Sequence, residues 1–306
     1  MSTLTVGIAG ITGKVGQLLA SKLLAKPNTI IRGYARDPSK VAAEIASSSR
    51  VHLFKGEASD SASLASFVTG CDVVVCSYLG PPNLMVDGQK VLIDACDEAG
   101  VARYVASDWS LDYTKLELGQ LFPKDPMIII KAYLETKKYV KGVHVMIGGF
   151  MDTILSPFFG LFDGESKTFR YWGEGTEFWE GTSYANAAEF TAAVITDPWA
   201  MGVLKYLGDR KTVPQIAEAF QEVYGIETKL ERLGSLDDLK KHMHATQAAN
   251  PANLYSYLAL FYAYYSFNGQ TFLGETLNDK YPEVKPETLA DFLRTHTVED
   301  LSRYGT

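Results

Sequence analysis

Near its start the chain carries Leu4-Thr5-Val6-Gly7-Ile8-Ala9, then Gly10, Gly13 and Gly16 at G-x-x-G-x-x-G spacing, then Leu18, Leu19, Leu23 and Leu24. The apolar run reads as a short buried strand, and the leucines recur at helical spacing. A strand, a glycine turn and a helix in that order form the opening of a βαβ unit with a phosphate site at its turn. One glycine permits the tight turn and a second lets a pyrophosphate approach the backbone. The third lets the helix pack closely on its strand, while the helix N-terminus faces the anion.

The rest of the first half repeats that alternation. Strands are expected over 29–35, 51–54, 72–77, 102–106 and 143–147, with helices over 61–68, 89–99 and from 126 onward. Asp72-Val73-Val74-Val75-Cys76-Ser77 is apolar at nearly every position, the signature of a central parallel strand buried on both faces. The fold class is therefore α/β, a Rossmann-type doubly wound parallel sheet. After residue 151 the pattern changes to turn-rich and then helical sequence. We expect a dinucleotide-binding domain over 1–151. A smaller, mainly helical substrate lobe is expected over 152–306, with some elements returning to the first domain's core.

At the end of the second strand stands Arg36, followed by Asp37-Pro38-Ser39-Lys40. An acidic residue there would bond the ribose 2′-hydroxyl of NAD. A guanidinium can stack on adenine and clamp a 2′-phosphate, and Lys40 adds a second positive charge, so NADP(H) is the expected cofactor. The net charge of −7 argues against a nucleic-acid partner held by a basic surface. Cys71, Cys76 and Cys96 make no C-x-x-C, and the N-terminus carries no secretory pattern, so a cytoplasmic protein with reduced thiols is expected. The aromatic stretch over 254–273 is too polar for a membrane span and reads as a helix. Of five histidines only His242 and His244 are close, on different helix faces, and no metal site is expected. The sequence has no serine nucleophile elbow.

Several stretches together resemble the NmrA-like and isoflavone-reductase-like branch of the atypical short-chain dehydrogenases/reductases. They are the glycine turn 10–16, Arg36-Asp37-Pro38-Ser39-Lys40, Ser107-Asp108-Trp109, Gly149-Phe150, Tyr171-Trp172-Gly173-Glu174-Gly175, Asp197-Pro198 and the late segment 281–286. The resemblance implies that Gly10, Thr12, Gly13, Lys14 and Val15 hold the pyrophosphate and that Arg36 and Lys40 hold the 2′-phosphate. It implies that Tyr78, Leu79 and Gly80 border a ribose, with Gly149 and Phe150 near the nicotinamide. It also implies a catalytic lysine on the helix after the Ser107 strand, for which Lys131 is the nearest match.

Reducing a ketone or enone requires a donor for the developing oxyanion. Tyr133 and Lys137 form a Y-x-x-x-K on one helix face, and with Ser107 they resemble the Ser–Tyr–Lys set of extended short-chain dehydrogenases. Lys131 and Tyr133 stand about 200° apart on an ideal helix, so one of the two is expected to face the site. Trp109, Met151, Phe158 and Trp179 are candidates for an apolar substrate wall. The expected activity is NADPH-dependent reduction of a hydrophobic, aromatic or polyketide-like secondary metabolite. The alternative is a non-catalytic NADP(H)-sensing regulator acting through a protein partner.

Overall fold

In the computed structural model, which describes residues 3–303, the opening strand and helix form as β1 (Leu4–Ala9) and α1 (Lys14–Leu24). The doubly wound half continues through β2 (Thr29–Ala35), α2 (Ala43–Ala46), β3 (Val51–Lys55), α3 (Ser61–Val68), β4 (Val73–Cys76), α4 (Gln89–Glu98), β5 (Arg103–Val105), α5 (Asp125–Glu135) and β6 (Lys141–Met146). Then follow β7 (Gly149–Phe150), α6 (Met151–Ile154), β8 (Phe162–Asp163), β9 (Thr168–Trp172), β10 (Phe178–Thr182), α7 (Tyr184–Thr196), β11 (Gly202–Lys205) and β12 (Asp209–Thr212). The chain ends in α8 (Val213–Tyr224), β13 (Lys229–Gly234), α9 (Leu236–Ala249), α10 (Leu258–Phe267), α11 (Leu289–Arg294) and α12 (Val298–Arg303).

Seven strands form one sheet in the order β11-β6-β5-β4-β1-β2-β3, and every neighbouring pair is parallel. The strand order reverses between β1 and β4, where ligands of such sheets bind outside the carboxyl ends. The apolar run of β4 is explained by its two faces. Val73 and Val75 pack with Leu19 and Phe190 on one side, and Val74 and Cys76 pack with Phe67 and Leu92 on the other. Both faces are dry, so no polar residue alternates in.

Two elements from beyond residue 151 complete this core. β11 adds the seventh strand and α7 covers the same face as α1. The buried Arg103 guanidinium ties down the C-terminal end of α7 by donating to the carbonyls of Val194 (3.1 Å), Ile195 (2.8 Å) and Asp197 (2.7 Å).

The second half departs from the sequence expectation in carrying two three-stranded sheets, β12-β10-β7 and β13-β9-β8, beside its helices. Their strands are short and lack a clean alternation, so their pairing is decided by what they pack against rather than by local pattern. The aromatic stretch is helical only over α10. Gly269, at φ +79°, closes it on one side and a single 3₁₀ turn at Leu254–Ser256 precedes it on the other. Among the described residues no helix is long and apolar enough to cross a membrane.

Candidate dinucleotide and substrate cleft

The glycine turn is built for a close ligand. Gly10 takes φ +82°, the left-handed region, and its N–H donates to the Tyr34 carbonyl at 2.9 Å. A Cβ at Gly16 would lie 2.6 Å from the Gly10 carbonyl oxygen and 2.9 Å from the Ile11 Cα, so only glycine lets α1 sit this tightly on the turn. Ser77, just past β4, pins the turn by donating its hydroxyl to Ala9 O (2.9 Å) and Gly10 O (3.0 Å). Gly13 caps α1 with no side-chain hydrogen bond, leaving the first-turn N–H groups for an anion. These features fit a dinucleotide pyrophosphate.

Around the turn, Thr12 and Val15 are half-buried, while Gly13 and Lys14 are exposed. Lys14 Nζ reaches Asp152 Oδ1 at 3.3 Å and lies 4.3 Å from the centroid of the Tyr184 ring. Arg36 and Lys40 are exposed beyond β2; Lys40 Nζ is 4.0 Å from Asp37 Oδ2. The Asp37 carboxyl is held below its ordinary range by the Ser39 hydroxyl, which donates to it at 2.6 Å. Tyr78 is buried, whereas Leu79 and Gly80 are exposed at the rim.

From β1 and β4 a cleft of about 510 Å³ runs toward the second half of the chain. Val15, Tyr78 and Leu79 line it from the dinucleotide side, and Gly149 and Phe150 from β7. Phe150 stacks on Tyr184 with ring centroids 3.9 Å apart. Its far walls are apolar and aromatic, formed by Trp109, Met127, Phe158, Phe159, Trp179, Tyr255, Leu258 and Tyr262. Trp179 gets its position from glycines: a Cβ at Gly181 would lie 2.0 Å from its ring, and one at Gly149 3.1 Å. Two cleft-lining hydroxyls, Tyr78 Oη and Ser110 Oγ, are buried and have no hydrogen-bond partner among the described residues. Such orphans cost about 1–3 kcal/mol each until a partner arrives.

The residues singled out for catalysis separate. Ser107 lines the cleft, but its hydroxyl donates to the Tyr78 carbonyl at 2.6 Å and is occupied in the backbone there. Lys131, Tyr133 and Lys137 do not line the cleft. Lys131 Nζ binds Glu135 Oε1 at 2.5 Å beside a second cavity. Tyr133 donates to both oxygens of Asp94 on α4 (2.7 and 2.9 Å), and Lys137, past the end of α5, reaches Asp94 Oδ1 at 2.6 Å. The Y-x-x-x-K does share a face, with Lys137 Nζ 3.8 Å from the Tyr133 ring centroid, but that face meets α4. Instead α5 presents its N-terminal end, Lys124 and Met127, to the cleft. Met151 is a second correction: it is fully buried with Ile154, Phe169 and Ile216 and forms core, not wall.

Sequence reasoning passed over Asp108, Ser110, Lys124 and Tyr184, all of which line the cleft. The available signal was position, since Asp108 and Ser110 directly follow a strand end where such sheets bind ligands. Between them Trp109 takes φ +32°, held by an indole N–H donated to Thr191 Oγ1 at 2.9 Å.

Comparison with known proteins agrees with this geometry. Residues 10–198 match the model of a family described as NAD(P)H-binding. A "NmrA-like family domain-containing oxidoreductase" of Gibberella moniliformis is 27% identical over 189 residues, covering 60% of this chain and 61% of that protein. A "probable pinoresinol-lariciresinol reductase 3" of Arabidopsis thaliana is 23% identical over 299 residues, 94% of this chain and 96% of the relative. A crystal structure of isoflavone reductase superposes with a TM-score of 0.81 at 18% identity, over 96% of this chain and 99% of that one. The chain belongs to the NAD(P)H-binding family of Rossmann-fold proteins, among relatives that are NmrA-like and isoflavone-reductase-like, and its cofactor is a nicotinamide dinucleotide.

Proposed function

We propose that the chain is an NADPH-dependent reductase of a hydrophobic, aromatic or polyketide-like metabolite with a ketone or enone acceptor. The observation that carries this reading is the continuity of the glycine turn with one large aromatic-walled cleft holding a few convergent polar groups. Solved relatives support it, since one is described with NADP+ and (+)-pinoresinol and another as a leucoanthocyanidin reductase–NADPH complex.

In this reading Gly10, Thr12, Gly13, Lys14 and Val15 hold the pyrophosphate, and Arg36 and Lys40 hold the 2′-phosphate. Tyr78, Leu79 and Gly80 border a ribose, while Gly149 and Phe150 support the nicotinamide. NADPH, when bound, supplies a hydride to the acceptor carbon. Residues 1–151 bind the dinucleotide, and the elements of 152–306 that do not return to that domain's core close over the substrate. Trp109, Phe158 and Trp179 exclude water and orient a flat ring, and the unpartnered hydroxyl of Ser110 meets a substrate oxygen. Three free, buried thiols support a cytoplasmic setting.

The test is a titration with NADPH and NADH followed by the loss of NADPH absorbance against a panel of aromatic ketones and enones. Preferred binding of NADPH with consumption by one substrate class is the expected result. Tight binding with no consumption across the panel would favour a dinucleotide-sensing regulator with a protein partner.

A further inference from the structure

Asp108 stands between the cleft and a second cavity. It lines the cleft, yet its side chain is only 1% exposed. Oδ2 is fully engaged: the Tyr113 hydroxyl donates to it at 3.0 Å and His144 Nδ1 lies 2.7 Å away. Among the described residues no group donates to Oδ1. On the far side, His144 borders a cavity of about 410 Å³ with Lys131, Glu135, Lys137 and Gly142. Its Nε2 points that way, because a Cβ on Gly142 would come within 2.8 Å of it.

The backbone supports a special role for this spot. Trp109, next in the chain, holds φ +32°, a conformation that a non-glycine residue adopts only under strain. That conformation turns the chain so that Asp108 and Ser110, on either side of it, both line the cleft.

We infer that Asp108 is the catalytic residue that exchanges a proton with the substrate oxygen, and that Tyr113 and His144 are positioning residues linking it to the second cavity. The inference rests on the reductase reading. As the acceptor carbon takes the hydride, the C=O π pair moves to oxygen, and that oxygen takes the proton from Asp108 Oδ1, leaving a carboxylate. To recharge it, water in the second cavity protonates His144 Nε2, Nδ1 passes its proton to Oδ2, and the carboxyl turns to bring the proton to the cleft. One proton from water is consumed per hydride transferred.

Tyr113 suits this exchange. Its hydroxyl is 3.0 Å from both Asp108 Oδ2 and His144 Nδ1, so it donates to whichever atom lacks the proton. Burial, reinforced by the Asp108 charge, pushes the phenol well above its ordinary range, so it stays a donor. The charged groups around the path are Asp112 on the Tyr113 side and Lys131, Glu135, Lys137 and Lys141 at the second cavity.

The test uses para-nitrophenol, whose ionised form absorbs visibly, bound to the full chain saturated with NADP+. With NADP+ bound the site is in the state that follows transfer, in which Asp108 is a carboxylate. A carboxylate touching the dye oxygen disfavours a second negative charge, so the ionisation midpoint of the bound dye should lie about one pH unit above that in Asp108→Asn. Equal midpoints, or a dye that binds neither protein, overturn the assignment; unchanged NADPH binding shows that the variant is folded. His144→Asn retains an amide N–H for Oδ2 but has no Nε2. It should leave the midpoint in place while slowing re-protonation of the bound dye after a rapid pH drop by at least about ten-fold. An unchanged rate removes His144 from the path. Because neither readout needs turnover, a raised midpoint with no compound consuming NADPH overturns the reductase reading and not the contact at Asp108.

Discussion

Lys14 Nζ lies 3.3 Å from Asp152 Oδ1, joining the helix that begins at the glycine turn to the segment that follows Phe150. The other carboxylate oxygen, Oδ2, accepts the N–H of Tyr184 at 2.9 Å. One nearly buried carboxylate thus ties together the dinucleotide turn, the cleft wall and the first turn of α7. Asp152→Ala should destabilise the fold by about 1 kcal/mol, because the half-buried Tyr184 amide loses its acceptor. Denaturant unfolding measures this; Asp152→Asn, which keeps an acceptor, should recover part of the loss.

Gly16→Ala tests the close approach of α1 to its strand. The added Cβ would meet backbone atoms at 2.6 and 2.9 Å, and backbone has no rotamer to escape into. The turn must open, so NADPH affinity should fall at least about ten-fold, equivalent to roughly 1.4 kcal/mol. An unchanged dissociation constant by fluorescence titration would mean that the turn does not carry the pyrophosphate.

Arg36→Ala separates the two dinucleotides. Loss of a charge-assisted contact worth about 1.5–3 kcal/mol should raise the NADPH dissociation constant by roughly 10–100-fold. NADH, which has no 2′-phosphate, should bind as before. Equal losses for both cofactors would place Arg36 on the adenine rather than on the phosphate.

Lys131→Ala and Tyr133→Phe should both keep turnover, since neither side chain lines the cleft. Tyr133→Phe should nevertheless cost about 0.5–1.5 kcal/mol of stability, because Asp94 loses a donor that now sits at 2.7 and 2.9 Å. A collapse of turnover in Lys131→Ala would return that lysine to the chemistry.

Asp112 predicts an acid response. Burial alone would raise its carboxyl, but bonds from Lys205 (2.7 Å) and Thr114 outweigh it and hold it below the ordinary carboxylate range. Its folded value being depressed, the stability it contributes is full above the unfolded value of about 3.9 and is lost as pH falls through the folded value. Asp112→Asn should therefore be less stable than wild type near neutral pH, with the gap closing as pH falls below the ordinary carboxylate range. Urea unfolding across that range checks the sign.

The first half of the fold could be read from the chain because its signals are local. The strand, turn and helix of residues 4–24 and the doubly apolar run of β4 each follow from neighbouring residues. The small sheets of the second half could not, because their strands are as short as Gly149–Phe150 and owe their pairing to distant partners. The cofactor turn was likewise legible, since its glycines and its place after β1 are properties of sequence order.

Which face of α5 meets the cleft was a different kind of question. Sequence spacing placed Tyr133 and Lys137 together and correctly set Lys131 apart from them, but a helix carries no mark of what lies opposite it. Asp94, contributed by α4, claims Tyr133 and Lys137, and Glu135 claims Lys131, leaving Lys124 and Met127 for the cleft. Asp108, Tyr113 and His144 converge only because β5 and β6 pair side by side. The chain alone determined that a dinucleotide-binding turn follows the first strand, because glycine geometry is local. Tertiary structure decided which polar side chains share the cleft, because that depends on the packing of elements remote in sequence.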